Sequence, residues 1–437
     1  MGQVLNFFQN RLLTRKKSKS KNDYLLVLDI GTEFVKSLIF KIEKGLSNQG
    51  VVKKQGVVVG IGYQRQSPGN MLAGAVADIQ GVTLICQKAI KQASQMAKVK
   101  PTKAIMGVAG EFVKGVTTHY VYQRNEPEQE IDLAELQNII QKIQWKAFNQ
   151  TRSQLAWETC RPEIEIKPIN ALFTEIRIDG YQVTNLVGFQ GKEIFFGIFN
   201  VYAPLVHLNA LEKIASKLDL ELLSIVAGSY ALTKSSGFNP SSGAIFIDVG
   251  GGTTDIALVR NGRVEGIKSF SLAGQTFTKR LSQVLGLELV EAEELKIRYT
   301  QKELSKNVQR RIKDIFENDI RIWLSGVELI LEEFDQNEFF PSLVLLCGGG
   351  SLLPNVKNIL KRETVQKQWM DKFSFKESLQ INFIQPKQID NIIDHTNILK
   401  GPGIITPLAL AGLGLEIATD EEKTLPPILR RIVRIMR

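Results

Sequence analysis

The fold is decided by the stretch Gly243-Ala-Ile-Phe-Ile-Asp-Val-Gly-Gly-Gly-Thr-Thr-Asp-Ile-Ala-Leu-Val259. Apolar residues on both sides of the glycines predict two buried strands joined by a tight turn. The same order occurs near the start of the chain, in Tyr24-Leu-Leu-Val-Leu-Asp-Ile-Gly-Thr32 followed by Phe34-Val-Lys-Ser-Leu-Ile-Phe40. The leading aspartates of the two stretches lie 219 positions apart, about half the chain. This spacing indicates an internal duplication and two related lobes that face one cleft.

Each turn places an aspartate at the end of a buried strand, directly beside glycine. Glycine lets the backbone approach a ligand closely, and successive amides in such a turn form a concave site for phosphate oxygens. Thr32, Thr253 and Thr254 add hydroxyl donors. Asp29 and Asp248 are placed to hold Mg²⁺, directly or through water, because this cation usually combines one or two carboxylates with phosphates. Two such hairpins predict a site that grips a triphosphate from both sides.

A third glycine stretch, Gly348–Gly350, follows the predicted strand 343–347. A single Asp-Ile-Gly-Thr turn is more often an ordinary hairpin, but three glycine breaks in this order are specific for a phosphate site. The chain contains no Gly-x4-Gly-Lys-Ser/Thr loop, and Gly348–Gly350 lacks the Gly-x-Gly-x-x-Gly order of a dinucleotide-binding turn. Strands and helices alternate along the chain, which predicts an α/β fold.

The composition is that of a soluble globular protein, with 43% hydrophobic and 23% charged residues among 437. The formal net charge is +10, but the excess lies at the two ends. Residues 1–21 carry six basic residues and residues 425–437 carry four, with no acidic residue in either segment. The remainder holds 45 basic and 45 acidic residues, so we expect no nucleic-acid partner despite the overall charge.

The cysteines and the hydropathy pattern favour a cytoplasmic protein. Cys86, Cys160 and Cys347 are odd in number and share no metal-ligand spacing, which indicates buried thiols in a reducing compartment. No uncharged segment reaches the roughly 18 residues that a membrane-spanning helix needs.

The C-terminal segment 428–437 separates apolar from basic residues when it is placed on a helix. Its six apolar side chains fall on one arc, opposite four arginines. This pattern predicts an interfacial helix on an anionic membrane surface, tethered by the Pro-containing linker 419–427, whereas a helix docked on the protein body is the alternative. The predicted membrane residues are Ile428, Leu429, Arg430, Arg431, Ile432, Val433, Arg434, Ile435, Met436 and Arg437. The basic N-terminal tail, residues 1–23, is either a second anchor or a disordered tail.

At the three glycine stretches the sequence resembles the superfamily of actin, Hsp70 and sugar kinases, and within it the FtsA family of bacterial cell-division proteins. The resemblance implies a two-lobed actin-like (ribonuclease H-like) fold that binds ATP and Mg²⁺. It identifies residues 292–296 with a helix whose Glu and Lys hold the nucleoside, although a solvated helix face would show the same spacing. The residues expected to bind nucleotide are Gly31, Thr32, Lys36, Gly250, Gly251, Gly252, Thr253, Thr254, Glu293, Lys296, Gly348, Gly349 and Gly350.

The stretch from Val76 to Lys114, including Ile105-Met-Gly-Val-Ala-Gly110, resembles the start of the inserted subdomain of the FtsA family. The resemblance implies the following division of the chain. Lobe 1 (subdomain 1A) comprises 24–74, 187–236 and 374–418, the insert (1C) 75–186, lobe 2 (2A) 237–275 and 326–373, and subdomain 2B 276–325.

Two residues depart from the superfamily pattern. In many members the helix before the second glycine stretch carries an acidic or amide residue that positions the attacking water, and Ser224 occupies this place. Serine is not a comparable base, so we predict at most weak ATPase activity and name no catalytic residue with it. Glu33 stands where a small residue often follows Thr32, and we expect its side chain to point to solvent.

The leading hypothesis is an ATP-binding actin-like protein that tethers the FtsZ ring to the inner face of the cytoplasmic membrane and self-assembles into filaments. The resemblance implies FtsZ, anionic inner-membrane lipids, further copies of the chain and other division proteins as partners. A PilM-like actin-fold scaffold of type IV pilus assembly is the alternative. A sugar or acetate kinase is a third class, but no substrate pocket with a catalytic base is indicated beside the phosphate turns.

Overall fold

A computed structural model describes residues 24–46, 52–159, 165–235, 237, 243–335, 338–375 and 377–419. The predicted basic tail, Cys160, the membrane helix and all of its linker except Thr419 lie outside these residues. The strands are β1 Tyr24–Ile30, β2 Phe34–Leu46, β3 Val52–Arg65, β4 Met71–Leu72, β5 Ala75–Val76, β6 Lys103–Val108, β7 Lys114–Gln123, β8 Ile166–Ile178, β9 Tyr181–Gln182, β10 Glu193–Pro204, β11 Glu221–Ala227, β12 Ala244–Val249, β13 Thr254–Arg260, β14 Arg263–Phe270, β15 Leu343–Cys347, β16 Gln380–Phe383 and β17 Ile392–Asp394. The helices are α1 Ile79–Ala97, α2 Leu133–Thr159, α3 Leu205–Lys217, α4 Gly228–Ser235, α5 Gly274–Leu285, α6 Leu289–Thr300, α7 Lys306–Glu333, α8 Pro354–Leu360, α9 Glu363–Lys372 and α10 Ile405–Thr419.

Two sheets repeat the same strand order. The first sheet runs β11-β6-β1-β2-β3-β17, and the second begins β16-β15-β12-β13-β14. In each sheet the strand that ends in Asp-x-Gly pairs antiparallel with the strand after its turn and parallel with the strand on its other side. The two series match strand by strand over five positions, so the internal duplication predicted from the paired aspartates is confirmed.

Buried apolar strands lie at the centre of both sheets, and one face of the second sheet, with Phe246 and Leu345, belongs to the same core as the first sheet. Leu25 to Leu28 of β1 and Ala244 to Ile247 of β12 are nearly continuous buried runs, which is expected for strands covered on both faces. Helix α10 is apolar around its circumference and packs against β1 and α4, so it forms part of the first core. Helices α5, α6 and α7 cover the second sheet with residues such as Phe277 and Phe316.

The second sheet continues beyond β14 into strands of the predicted insert. Strand β14 pairs with β7, and the order then runs β7-β10-β8-β9. In contrast, β6 lies inside the predicted insert but pairs in parallel with β1, where Gly107 is opposite Asp29. The sheets therefore do not divide at residues 75 and 186, because long-range pairing places β6 in the first sheet and β10 in the second.

Ser224 and strand β16 do not lie where the sequence analysis placed them. Ser224, expected in a helix, lies in β11. Strand β16 lies in the range predicted for lobe 1 but pairs with β15 of the second sheet. None of the described helices is long and apolar enough to cross a membrane.

Candidate nucleotide-binding cleft

The two glycine turns have the same backbone geometry. Gly31 N donates to Phe34 O at 3.0 Å in the first turn, and Gly250 N donates to Thr253 O at 2.9 Å in the second. In both turns the first glycine thus donates to the carbonyl three residues later, which closes a tight loop directly after the buried aspartate strand.

The tips of the two turns touch each other. A Cβ atom at Gly252 would lie 2.5 Å from Thr32 Oγ1, and one at Gly251 would lie 2.8 Å from the Cβ atom of Glu33. Any larger residue at these positions would therefore push the two turns apart. The structure brings together the two hairpins that the sequence analysis placed on opposite sides of one cleft.

Lys36 forms an ion pair with the aspartate of the first hairpin. Its Nζ atom lies 3.2 Å from Asp29 Oδ2, and both side chains are largely buried. Burial by itself lowers the pKa of Lys36, but the charge of Asp29, with smaller contributions from Tyr63 and Asp248, outweighs this effect, and the pKa is raised. Lys36 therefore carries a buried positive charge at the junction of the two hairpins.

The second hairpin carries two buried carboxylates. Burial raises the pKa of Asp248, although Thr406 Oγ1 donates to its Oδ2 at 2.5 Å and opposes that change. Burial and the neighbouring charge of Asp248 raise the pKa of Asp255 to about 7. Asp255 accepts hydrogen bonds from Ser269 and, at 3.2 Å, from Thr253. The negative charge of this hairpin is only partly compensated within the protein.

Glu293 and Lys296 are buried beside the second turn rather than exposed on a helix face. They are 4% and 9% exposed and form an ion pair at 2.6 Å. Lys296 Nζ also donates to Gly274 O at 2.9 Å, and the amide of Gly274 donates to Gly250 O at 3.1 Å. Thr278 donates to Glu293 and completes the cluster. The first turn of α5 thus connects this pair directly to the second glycine turn.

The third glycine stretch forms an adjoining wall of the cleft. Gly348 has φ +83°, which favours glycine, and its amide donates to Pro402 O at 3.0 Å. A Cβ atom at Gly350 would lie 2.7 Å from Val249 Cγ1, so this glycine is packed against the end of β12. A Cβ atom at Gly349 would meet nothing within 4 Å, so Gly349 faces open space.

Glu33 and Ser224 do not lie where the sequence analysis expected them. Glu33 does not point to solvent, because its side chain is 17% exposed and accepts from Arg65 at 2.7 Å and from Gln275, in the other lobe, at 2.9 Å. Ser224 pairs with Ile105 in an edge strand, and its hydroxyl bonds the carbonyl of Ile225 at 3.4 Å. Glu33 is therefore part of the contact between the lobes.

The sequence analysis missed Thr406 and Gln275. Thr406 stands at the start of α10, 158 positions from the aspartate that it contacts, and Gln275 stands at the start of α5. Both follow small or apolar residues at helix starts, and no local pattern distinguishes them from ordinary capping positions.

The chemistry of the cleft fits an anionic ligand accompanied by a cation. Within the described residues, the amides of Gly251 and Gly252 have no hydrogen-bond partner. Such amides can donate hydrogen bonds to phosphate oxygens. No group of three or more His, Cys, Asp and Glu side chains in the described part of the chain is arranged to hold a metal ion. The aspartates would therefore need water or ligand oxygens to complete a magnesium shell.

Comparison with known proteins agrees with this geometry. A family model described as "Cell division protein FtsA" matches residues 245–406. The chain is 24% identical to FtsA of Pseudomonas aeruginosa over 277 residues, which cover 62% of this chain and 60% of that relative. It is 22% identical to FtsA of Bacillus subtilis over 377 residues, which cover 78% and 76%. The chain thus spans less than two thirds of the first of these relatives, and the matches confirm the resemblance predicted from the glycine stretches.

A solved structure shows the same fold. A chain of the PilM-PilN type IV pilus biogenesis complex superposes with a TM-score of 0.61 at 16% identity, over 90% of this chain and 98% of that chain. At this identity the likeness concerns the fold alone. The two-lobed actin-like fold predicted from the sequence is confirmed.

Proposed function

We propose that this chain, a relative of the FtsA cell-division proteins, is an ATP-binding actin-like protein that tethers an FtsZ ring to the inner face of the cytoplasmic membrane. The observation that carries the proposal is the contact between the two glycine turns around Lys36, in a chain whose second half matches the FtsA model. The remaining elements of the proposal rest on the sequence of the two ends and on the resemblance to the family.

The nucleotide would be held by groups from both lobes. Lys36 and the amides of Gly251 and Gly252 would bind phosphate oxygens, with a hydroxyl donor from Thr32. The hydroxyls of Thr253 and Thr254, predicted as further donors, already donate to Asp255 Oδ2 at 3.2 Å and to Leu272 O at 2.6 Å. Gly31 and Gly348–Gly350 let the backbone approach the ligand, and the resemblance assigns Glu293 and Lys296 to the nucleoside. When bound, ATP would supply a polyanion that spans the two lobes. In this proposal the residues bind and orient the nucleotide, and we expect at most weak ATPase activity.

Magnesium would balance the charge of the second hairpin. Asp29 and Asp248 would hold Mg²⁺ through water, since the cation commonly binds one or two carboxylates together with phosphates. The raised pKa of Asp248 supports this assignment, because a group whose charge is poorly compensated gains most from a nearby cation.

The membrane and partner assignments follow from the ends of the chain and from the family. The segment 428–437 would lie on anionic lipids, and four arginines near such a surface contribute roughly 4 kcal/mol. The strands β7, β8 and β9 of the predicted insert would contribute to self-assembly into filaments. The partners would be FtsZ, anionic inner-membrane lipids, further copies of the chain and other division proteins.

Liposome flotation tests the tether. The full chain should float with vesicles that contain anionic lipids and should remain at the bottom with neutral vesicles. A truncation after Thr424 should not float with either kind of vesicle. Equal flotation of both forms would show that the C-terminal helix is not the anchor.

An FtsZ pull-down separates the two candidate roles. A PilM-like scaffold remains the second candidate because the PilM-PilN chain shares the fold over most of its length. Under the proposed function, FtsZ should be retained by the full chain and by the truncation after Thr424. If the full chain retains FtsZ but does not float with anionic vesicles, the protein is a division protein with a different anchor. Absence of FtsZ binding to the full chain would favour the scaffold.

A further inference from the structure

Strand β16 leaves one side of the second sheet open. It pairs in parallel with β15 and is the last strand of the sheet in the described part of the chain. Gln380 N donates to Ser342 O at 2.8 Å and Ile384 N donates to Leu346 O at 3.0 Å, so the even-numbered residues direct their amides toward β15. Because strands alternate with a period of two, the amides and carbonyls of Ile381 and Phe383 face the open edge.

The counterpart of this edge in the first sheet is covered. Strand β11 occupies the position in the first sheet that β16 occupies in the second. Asn170 of β8, a buried side chain, accepts from the amide of Ala227 at the end of β11 at 3.1 Å. The inserted strands therefore protect one edge of the duplicated fold, while the equivalent edge in the second half has no described element against it.

A polar cavity with uncompensated positive charge adjoins the open edge. The cavity measures about 410 Å³ and is lined by Lys361, Gln366, Leu379, Gln380, Ile381 and Asn382. Lys357 Nζ lies 4.2 Å from the centre of the Phe383 ring, directly over the strand. Burial lowers the pKa of Lys357, and the charge of Lys361 lowers it further. Among the described residues neither lysine forms a salt bridge, and no carboxylate contributes to the pKa of Lys357.

We propose that the open edge of β16 is a docking site for an extended peptide segment of a protein partner, with an acidic side chain placed in the cavity beside Lys361. Main-chain bonds to Ile381 and Phe383 would add the peptide as a further strand, and the lysines would select its acidic residue. The charge at the edge decides between occupants, since a basic or neutral segment would leave both lysines without a counter-charge. The proposal is independent of nucleotide and membrane binding.

The test uses a random peptide library displayed on phage and selected against the full chain. Enriched sequences should carry Asp or Glu, and the corresponding fluorescein-labelled peptides should bind in fluorescence anisotropy. Lys361→Glu should weaken this binding about 10-fold, because it reverses the selecting charge. Phe383→Pro should also weaken it about 10-fold, since proline removes an amide that faces the edge and leaves the bonds to β15 intact.

Phe383→Val is the matched control, because it removes the ring but keeps the amide, and it should change the affinity by less than about 3-fold. Thermal unfolding shows whether Phe383→Pro is folded, and the exposed Lys361→Glu tests the proposal if it is not. The proposal would be overturned if no peptide is enriched or if the enriched sequences are basic or neutral. It would also be overturned if Lys361→Glu does not weaken peptide binding. Self-association of the wild-type chain that Lys361→Glu or Phe383→Pro abolishes would assign the edge to a second copy instead and would also overturn it.

Discussion

The two glycine hairpins have the same backbone geometry, but the residue paired with the leading aspartate has opposite charge in the two. In the first hairpin Lys36 is paired with Asp29, whereas in the second Asp255 is paired with Asp248. The first arrangement is an ion pair, and the second is a pair of buried carboxylates, one of which has its pKa raised to about 7. The duplication thus preserved the turn that brings backbone amides together and changed the charge beside it.

This difference indicates that the two hairpins bind groups of opposite charge. The first hairpin offers a cation to an anionic ligand, while the second offers carboxylates that gain from a cation. A nucleotide with its bound magnesium supplies both complementary charges, which neither hairpin could satisfy from within.

The largest effect is expected from Lys36→Met, which removes the positive charge paired with Asp29 in the first hairpin. The free energy of unfolding should fall by about 3–5 kcal/mol, because a buried ion pair loses one partner. ATP affinity measured by calorimetry should fall by more than about 100-fold, since the carboxylates of both halves then face the phosphates.

Arg65→Met is the matched control for that variant. It removes the half-exposed partner of Glu33, and exposed ion pairs contribute less than about 1 kcal/mol. Equal losses of stability in the two variants would contradict the assignment of a special role to Lys36.

Asp255→Asn should change the pH dependence of stability. The folded-state pKa of about 7 lies above the ordinary value of 3.8, so the folded protein holds a proton that the unfolded chain releases between these values. Stability without nucleotide should therefore fall as the pH rises from about 4 to 7. Asp255→Asn should remove this slope and exceed the wild type by on the order of 4 kcal/mol at alkaline pH. Urea unfolding across this pH range measures the difference, and identical slopes would contradict the buried-carboxylate account.

The glycine turns can be tested with two matched alanine variants. Gly349→Ala adds a methyl group that meets no atom within 4 Å, so stability should change by less than about 0.5 kcal/mol while ATP affinity falls about 10-fold. Gly252→Ala places the methyl group against Thr32 and should lower both stability, by about 1–3 kcal/mol, and affinity. Unchanged ATP affinity in Gly349→Ala would place the nucleotide away from this wall.

The smallest effect is expected from Thr406→Val. The variant removes the hydroxyl that donates to Asp248 and should cost about 1 kcal/mol in urea unfolding. Thr406→Ser keeps the donor and should remain closer to the wild type. A larger loss in the serine variant would show that the methyl group, which packs near Gly228, matters more than the hydrogen bond.

The sequence predicted those parts of the fold that local patterns encode. The two hairpins and the duplication follow from apolar runs that end in Asp-x-Gly turns, and these are confirmed. The family resemblance singled out Glu293 and Lys296, but only the structure shows that they form a buried ion pair against α5. Their contact with nucleoside stays a prediction.

The remaining differences come from pairing between distant segments. The parallel ladder between β1 and β6 places Gly107 beside Asp29, although a family-based boundary put both β6 and α1 in the insert. Glu33 was expected in solvent because its partner Gln275 lies 242 positions away in the other lobe. Local periodicity carries no information about such contacts, since they depend on how the lobes meet.

We propose that the two hairpins close around a single nucleotide. Isothermal titration calorimetry of the folded wild-type chain with ATP and Mg²⁺ tests it most directly. We predict saturable heat with one nucleotide bound per chain and no measurable heat in Lys36→Met. Absence of heat with both ATP and ADP on well-folded wild-type protein would contradict the account.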